Sequence, residues 1–407
     1  MKFNDLKLSD PILRSLKDQN YKKPTPIQAE VIPAVLNNSD IMAAAQTGTG
    51  KTAAFVLPIL SKLSNPKYKY KGHQLRALIV TPTRELAAQV RESVNTYSKY
   101  LSIRSTAVYG GARIHNQRLK LRKGIDVLVA TPGRLLDLHN QKSVNLKNIE
   151  ILVLDEADQM LDMGFIHDIK KIANLLPDRR QNLMFTATFS DSFRSLATNM
   201  AEKAIEISVT NDNETGENIN HYIHPVDKSR KAELLIELIK TKKWDQALVF
   251  TRTKHGADRL QKQLDKVNIN SKAIHGNKTQ NNRMKALEAF KNNKIQILVA
   301  TDVAARGIDI KRMSQVINFD VPTVAKDYVH RIGRTGRGGD MGEAITLVSA
   351  DEFRLLRDIE KLINNKLERV EIEGFEPEHV VPIKDKPNKK RFHNKKGFKK
   401  RNKSRKG

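Results

Sequence analysis

Short runs of branched apolar residues recur along the chain, each followed by a longer amphipathic stretch. ALIVT (77–81), DVLVA (126–130), ILVL (151–154) and NLMF (182–185) form one group; ALVF (247–250), KAIH (272–275), QILVA (296–300) and QVINF (315–319) form a second. Segments apolar at successive positions suit strands covered on both faces, and helical spacers between them imply right-handed βαβ crossovers in parallel sheets. The pattern predicts an α/β protein with two such sheets in tandem.

Between the two groups lies TNDNETGEN (210–218), which has no large apolar side chain and reads as a linker. The boundaries that follow are a first domain over 1–208, a linker over 209–218, a second domain over 219–370 and a tail over 371–407. Ser349 and Glu352 stand at capping-box spacing ahead of DEFRLLRDIEKLINNKLERV, which predicts a last helix. After the prolines at 377, 382 and 387 too little apolar surface remains to bury, so the tail is expected to stay disordered.

Charge changes this picture. With 72 Lys and Arg against 45 Asp and Glu, the chain carries +27, which points to a polyanionic partner. Residues 384–407 alone hold 13 Lys or Arg and one Asp. The chain has no cysteine, which excludes disulfides and thiolate metal sites and permits a reducing compartment. MKFNDLKLSDPIL lacks an uninterrupted apolar core of the kind that directs export, and no apolar run is long enough to span a bilayer, so a soluble, cytoplasmic protein is expected.

Ligands of open α/β sheets collect beyond the carboxyl ends of the strands, so the residues just after each run carry the chemistry. AAAQTGTGKT (43–52) follows the expected short strand DIMAA and opens a helix. Gly48 and Gly50 let backbone N–H groups approach phosphate oxygens, Lys51 reaches the outer phosphates, and the Thr52 hydroxyl suits Mg²⁺. Ala45 stands where such loops usually begin with glycine. In ILVLDEAD (151–158), Asp155 is placed to hold Mg²⁺ through water and Glu156 to orient and deprotonate an attacking water. Arg334 and Arg337, three apart in YVHRIGRTGRGG (328–339), are expected to share a helical face and to meet charge on a transferred phosphoryl group. No second phosphate loop occurs in residues 219–370, so one nucleotide site shared between two domains is expected.

Taken together, these stretches resemble the DEAD-box RNA helicases of superfamily 2, most closely the bacterial RhlE-like group, over about residues 1–375. YKKPTPIQ (21–28), AQTGTGKT (45–52), PTREL (82–86), GG (110–111), TPGR (131–134), DEAD (155–158), TAT (186–188), VFTRTK (249–254), HGNKTQNNR (275–283), ATDVAARGID (300–309) and HRIGRTGR (330–337) stand in family order. The resemblance implies two RecA-like domains that close over ATP, Mg²⁺ and one RNA strand. It implies that Gln28 reads the adenine edge, that Phe3 and Tyr21 pack near the base, and that the backbone around Lys23 assists. Gln46, Thr47 and Thr49 belong to the phosphate loop by the same comparison, and Gly307 and Asp309 to the nucleotide site, with Asp309 at the ribose. Thr186, Ala187, Thr188, His330 and Arg331 would couple the domains. RNA would meet Pro82, Thr83, Arg84, Gly111, Thr131, Pro132, Gly133, Arg134, Arg252, Thr253, Gln280, Arg283 and Thr301, through phosphate and sugar and without base readout. The expected activity is ATP-dependent, non-processive separation of short duplexes, with the basic tail anchoring structured RNA. An ATP-gated RNA clamp or assembly scaffold is the alternative. Similar proteins serve ribosome assembly, RNA decay and cold adaptation. Asn20 and Thr186 depart from the family's usual glycine and serine.

Overall fold

The structure is a computed structural model that describes residues 1–45, 48–65, 72–209, 219–305, 313–336, 341–379 and 381–382. The first sheet contains β1 (Ile41–Ala45), β2 (Ala77–Val80), β3 (Ser105–Val108), β4 (Val127–Ala130), β5 (Ile151–Leu154), β6 (Gln181–Thr186) and β7 (Ile205–Val209), in the order β3-β4-β2-β5-β6-β1-β7. The second contains β8 (Ile219–Pro225), β9 (Ala247–Thr251), β10 (Ser271–Ile274), β11 (Ile297–Thr301), β12 (Gln315–Asn318), β13 (Gly342–Val348) and β14 (Glu368–Arg369), in the order β10-β11-β9-β12-β13-β8-β14. Every neighbouring pair is parallel. The second order repeats the first strand for strand, so β8 holds the place of β1 and β13 that of β6.

All eight expected runs are strands, with ends displaced by about a residue. Their side chains alternate between two cores: Ala77, Ile79, Val127, Val129 and Val153 bury on one face, Leu78, Val80, Leu128, Ala130 and Leu154 on the other. That is why the runs are apolar at consecutive positions. Edge strands are harder to see. In β3 every second residue is half exposed, and in β7 only Ile207 is buried, so neither makes a continuous apolar run.

The helix Lys51–Leu63 is buried almost all the way round, and its Phe55 ring lies 5.0 Å from that of Phe185. A helix without a polar face belongs inside a core. Its N-terminus, where the phosphate loop arrives, is therefore rigidly held.

Three expectations need correction. The last helix is shorter than the amphipathic run: a capping box at Ser349 and Glu352 opens a 3₁₀ turn, and the helix Phe353–Leu362 follows. Asn364 then takes a left-handed conformation (φ 50°), a helix-ending geometry that asparagine tolerates, and Glu368–Arg369 joins β8 as β14. The tail also does not detach at residue 371. Val381 is 1% exposed in the core of the second sheet, and the Arg369 guanidinium donates to the carbonyls of Val381 (2.7 Å) and Pro382 (2.8 Å). Val209, assigned to the linker, is the last residue of β7. Residues 210–218 and 384–407 lie outside the described residues. Among the described residues no helix is long and apolar enough to cross a membrane.

Candidate active site

The carboxyl ends of β1, β5 and β6 converge on one side of the first lobe. Ala45, the unusual first position of the phosphate loop, is still inside β1, paired with Val209 and 1% exposed. No turn falls there, so no glycine is required. The turn comes later: Gly50, at φ 94°, caps the helix Lys51–Leu63. A methyl on Gly50 would lie 2.4 Å from Gln28 Nε2, so this position is closed to other residues by both conformation and contact.

Gln28 is 4% exposed. Its Nε2 donates to the Gly50 carbonyl (3.2 Å), while its Oε1 accepts from Thr25 N–H (3.0 Å) in a capping box that starts the helix Pro26–Leu36. The predicted adenine reader is thus physically tied to the phosphate loop. Phe3 and Tyr21 stack at 6.2 Å between ring centroids, and Tyr21 Oη lies 3.0 Å from Tyr97 Oη. Tyr21 is the exposed member of the pair (42%) and Phe3 its buried support (5%), so only Tyr21 presents a face to a base. Lys23 lies exposed in the bend that follows.

Lys51 is 7% exposed and its Nζ donates to the Thr186 carbonyl (3.3 Å); Thr52 is half-buried in the same first helical turn. Asp155 directly follows β5, 3% exposed, and its carboxyl is pushed up to about 7, chiefly by burial and next by the Glu156 charge, against the pull of Lys51. Glu156 adopts φ 54°, a left-handed conformation in which a non-glycine residue stores about 1–3 kcal/mol of strain, and such strain concentrates where side-chain aim matters. Asp158 accepts from Ala187 N–H (2.9 Å), so the acidic segment is pinned to the TAT turn. Thr186 Oγ1 donates to the Thr188 carbonyl (2.8 Å), which closes that turn from within.

These groups border a narrow, partly open cleft whose other wall belongs to the second lobe. Lys51, Glu156, Asp158, Gln159, Asp162 and Ala187 face His330 and Arg334 across it. Arg334 is not on a helix, contrary to the expectation of a face shared with Arg337. The helix Ala325–Ile332 ends at Gly333, because Thr335 enters a bridge with Met313 and its hydroxyl donates to the Met313 carbonyl. Arg334 therefore sits on a short turn anchored at both ends and is 8% exposed. Gln46, Thr47, Gly307, Asp309 and Arg337 lie outside the described residues.

Arg331 points away from the cleft. It is 1% exposed and pairs with both oxygens of Asp302 (2.6 and 2.8 Å), with Asn318 Oδ1 (3.1 Å) and with the Asp320 carbonyl (2.7 Å), all in the second lobe. A buried guanidinium must satisfy its donors where the carboxylate is. It fixes, from inside the second lobe, the segment that carries His330 and Arg334.

The residues expected at RNA line the same edge of both sheets. Pro82, Thr83 and Arg84 follow β2, Gly111 follows β3, Thr131, Pro132, Gly133 and Arg134 follow β4, Arg252 and Thr253 follow β9, and Thr301 ends β11. Thr83 and Thr253 spend their hydroxyls on helix caps, accepting from Leu86 N–H (3.3 Å) and Gly256 N–H (3.0 Å). Gly111, at φ 75°, lets the Arg84 guanidinium pass; a Cβ there would meet Arg84 Nη1 at 1.9 Å. Arg134 Nη1 donates to the Ala112 carbonyl (3.2 Å) and Arg252 is held by Glu352 (2.6 Å).

Gln280 and Arg283 have a different partner. Gln280 Nε2 donates to Glu85 Oε1 (2.9 Å), and Arg283 Nη2 pairs with Glu85 Oε2 (3.0 Å). Glu85 is 2% exposed in the first lobe, so both side chains cross between lobes. The sequence offered one signal for this, a carboxylate inside the otherwise basic or neutral PTREL. Neither Glu85 nor Asp158 stands out in the sequence, and Glu352 reads there only as a helix cap.

Comparisons with known proteins agree with this geometry. The profile of the DEAD/DEAH box helicases matches residues 25–196 and that of the helicase conserved C-terminal domain matches residues 230–339. The DEAD-box ATP-dependent RNA helicase RhpA of Helicobacter pylori is 40% identical over 379 residues, 93% of this chain and 76% of that one. Among solved structures, S. cerevisiae Dbp5 bound to RNA and ADP BeF3 is 32% identical with a TM-score of 0.80, covering 91% of this chain and 95% of that one. Mss116p bound to ssRNA and AMP-PNP is 29% identical with a TM-score of 0.81, covering 92% and 80%.

Proposed function

This chain belongs to the DEAD-box ATP-dependent RNA helicases, and from that premise we propose that ATP and one RNA strand are each gripped by both lobes, so that either ligand favours closure and tightens the other. The observation that carries this reading is the cleft in which Lys51 and Glu156 of one lobe face His330 and Arg334 of the other. Within that family its motifs resemble those of the RhlE-like group.

In this reading Lys51 holds the outer phosphates, Glu156 orients and deprotonates the attacking water, and Arg334, with Arg337, meets the charge that develops on the phosphoryl group. Asp155 and Thr52 offer the hard oxygen donors that Mg²⁺ prefers, and a bound cation would favour the carboxylate form of Asp155 that burial disfavours. Magnesium, when bound with ATP, neutralises the charge on the phosphate oxygens. Gln28, Tyr21 and Asp309 select the nucleoside.

RNA lies along the shared edge of the sheets, held by Thr83, Arg84, Gly111, Thr131 to Arg134, Arg252, Thr253 and Thr301 through phosphate and 2′-OH. Closure bends the strand out of A-form geometry, and since stacking is worth about 1.4 kcal/mol per step, only short duplexes separate in one event. The thirteen cations of residues 384–407 anchor structured RNA without sequence preference.

ATP turnover measured with no nucleic acid, with single-stranded DNA and with RNA tests the assignment; stimulation is expected with RNA alone, and equal stimulation by DNA would overturn the RNA reading. The lobe-crossing carboxylate gives a second test. Glu85→Gln keeps an acceptor for Gln280 but removes the partner of the buried Arg283. The factor by which an ATP analogue tightens RNA binding, typically about 5–150-fold for coupled sites, is expected to be smaller in this variant than in the parent. Fluorescence titration of RNA with and without the analogue measures it, and an unaltered factor would take Glu85 out of closure.

A further inference from the structure

The second sheet repeats the strand order of the first, but β8 is followed by VDKSR (226–230) rather than a phosphate loop. One element of the lost site survives. Lys231 opens the helix after β8 just as Lys51 opens the helix after β1. Lys51 donates to the Thr186 carbonyl at the end of β6; Lys231 donates to the Leu347 carbonyl (2.7 Å) in β13, the strand in the corresponding place, and to the Phe319 carbonyl (3.0 Å). Its ammonium is 1% exposed, and its remaining partner is the Glu352 carboxylate, itself 4% exposed. In the first lobe a lysine so placed awaits phosphate. In the second, a carboxylate from the start of the last helix already occupies that role.

The other oxygen of the same carboxylate accepts from Arg252 Nη2 (2.6 Å) and Val321 N–H (3.2 Å). The Arg252 backbone N–H is held in turn by Asp320 (2.8 Å), and Nη2 also donates to the Val321 carbonyl (3.0 Å). Arg252 keeps 34% of its side chain exposed, so one edge of the guanidinium is locked and the other remains open. We infer that Glu352 is an internal anion filling the second lobe's vestigial phosphate position, and that it acts as the positioning residue which aims Arg252 at RNA. The inference rests on the reading of Arg252 as an RNA contact.

The test compares Glu352→Gln, Arg252→Ala, their double variant, and Asp351→Ala as a control. Asp351 accepts from Ser349 Oγ (2.5 Å) at the same helix start and does not touch Arg252. With Glu352→Gln the RNA concentration for half-maximal ATPase stimulation is expected to rise about tenfold, the scale of a hydrogen bond to a charged group, with turnover at saturating RNA unchanged. Arg252→Ala is expected to match it, the double variant to be no worse than Arg252→Ala, and Asp351→Ala to leave RNA dependence unaltered. If the neutral amide leaves Lys231 too poorly paired to fold, Lys231→Met with Glu352→Gln removes both buried charges and is expected to show the same shift. Independent, multiplicative effects in the double variant, or an equal loss with Asp351→Ala, overturn the positioning role. An Arg252→Ala variant with native RNA dependence would instead refute the RNA contact on which it rests, so the two failures are distinguishable.

Discussion

Replacing Arg334 by alanine is expected to slow ATP turnover at saturating RNA by about a thousandfold, the low end of what an arginine at a transferring phosphoryl group contributes. Lys51 and Glu156 line the opposite wall of the same cleft, and Arg334 is held at 8% exposure on a turn closed by Gly333 and the Thr335–Met313 bridge. The side chain is thus placed before the reaction begins, which is what makes such a charge effective. Truncation removes the guanidinium without disturbing that anchoring, because Thr335 makes the bridge. Arg334→Lys keeps the charge but loses the planar fork, and is expected to recover only part of the rate. Single-turnover hydrolysis, with ATP binding measured separately, isolates the chemical step. Unchanged hydrolysis in Arg334→Ala would sink the shared-site mechanism.

Glu156→Gln is expected to lower turnover by about 10²–10⁴-fold, the contribution of a positioned general base, while ATP and RNA still bind. The amide keeps the size of the side chain and its left-handed backbone, but it cannot take a proton from water. If hydrolysis reopens the cleft, as the proposed cycle requires, the variant is expected to hold RNA in the presence of ATP far longer than the parent does, read as a slowed RNA dissociation rate. A variant that turns over ATP normally would remove Glu156 from the chemistry. One that is inactive in hydrolysis yet supports the protein's cellular role would favour the clamp over the duplex-separating engine.

Much of the fold was legible because each of the eight expected strands is four to six residues of apolar sequence followed by a polar turn. Even the departures from family habit made local sense. Asn20, where a glycine is usual, takes φ 56°, a conformation asparagine reaches at little cost, and Thr186 uses its hydroxyl to hold the Thr188 carbonyl. What stayed hidden were long side chains whose partners lie far along the chain. Glu85 is 195 residues from Gln280, and Glu352 is 100 from Arg252 and 121 from Lys231. Arg331 sits one residue from His330 in the same motif, yet it faces Asp302 in the interior while His330 lines the cleft.

The eight apolar strands, the phosphate loop, the acidic pair after β5 and the family itself follow from sequence alone, since each depends on spacing within short windows, whereas the order of strands in each sheet came from the structure. Which cations reach a ligand and which are consumed in holding the protein together was decided by the tertiary structure. A guanidinium or ammonium taken out of water must find an anion close by, and packing alone determines whether that anion is a phosphate, as expected at Lys51, or the protein's own carboxylate, as at Lys231 and Arg283.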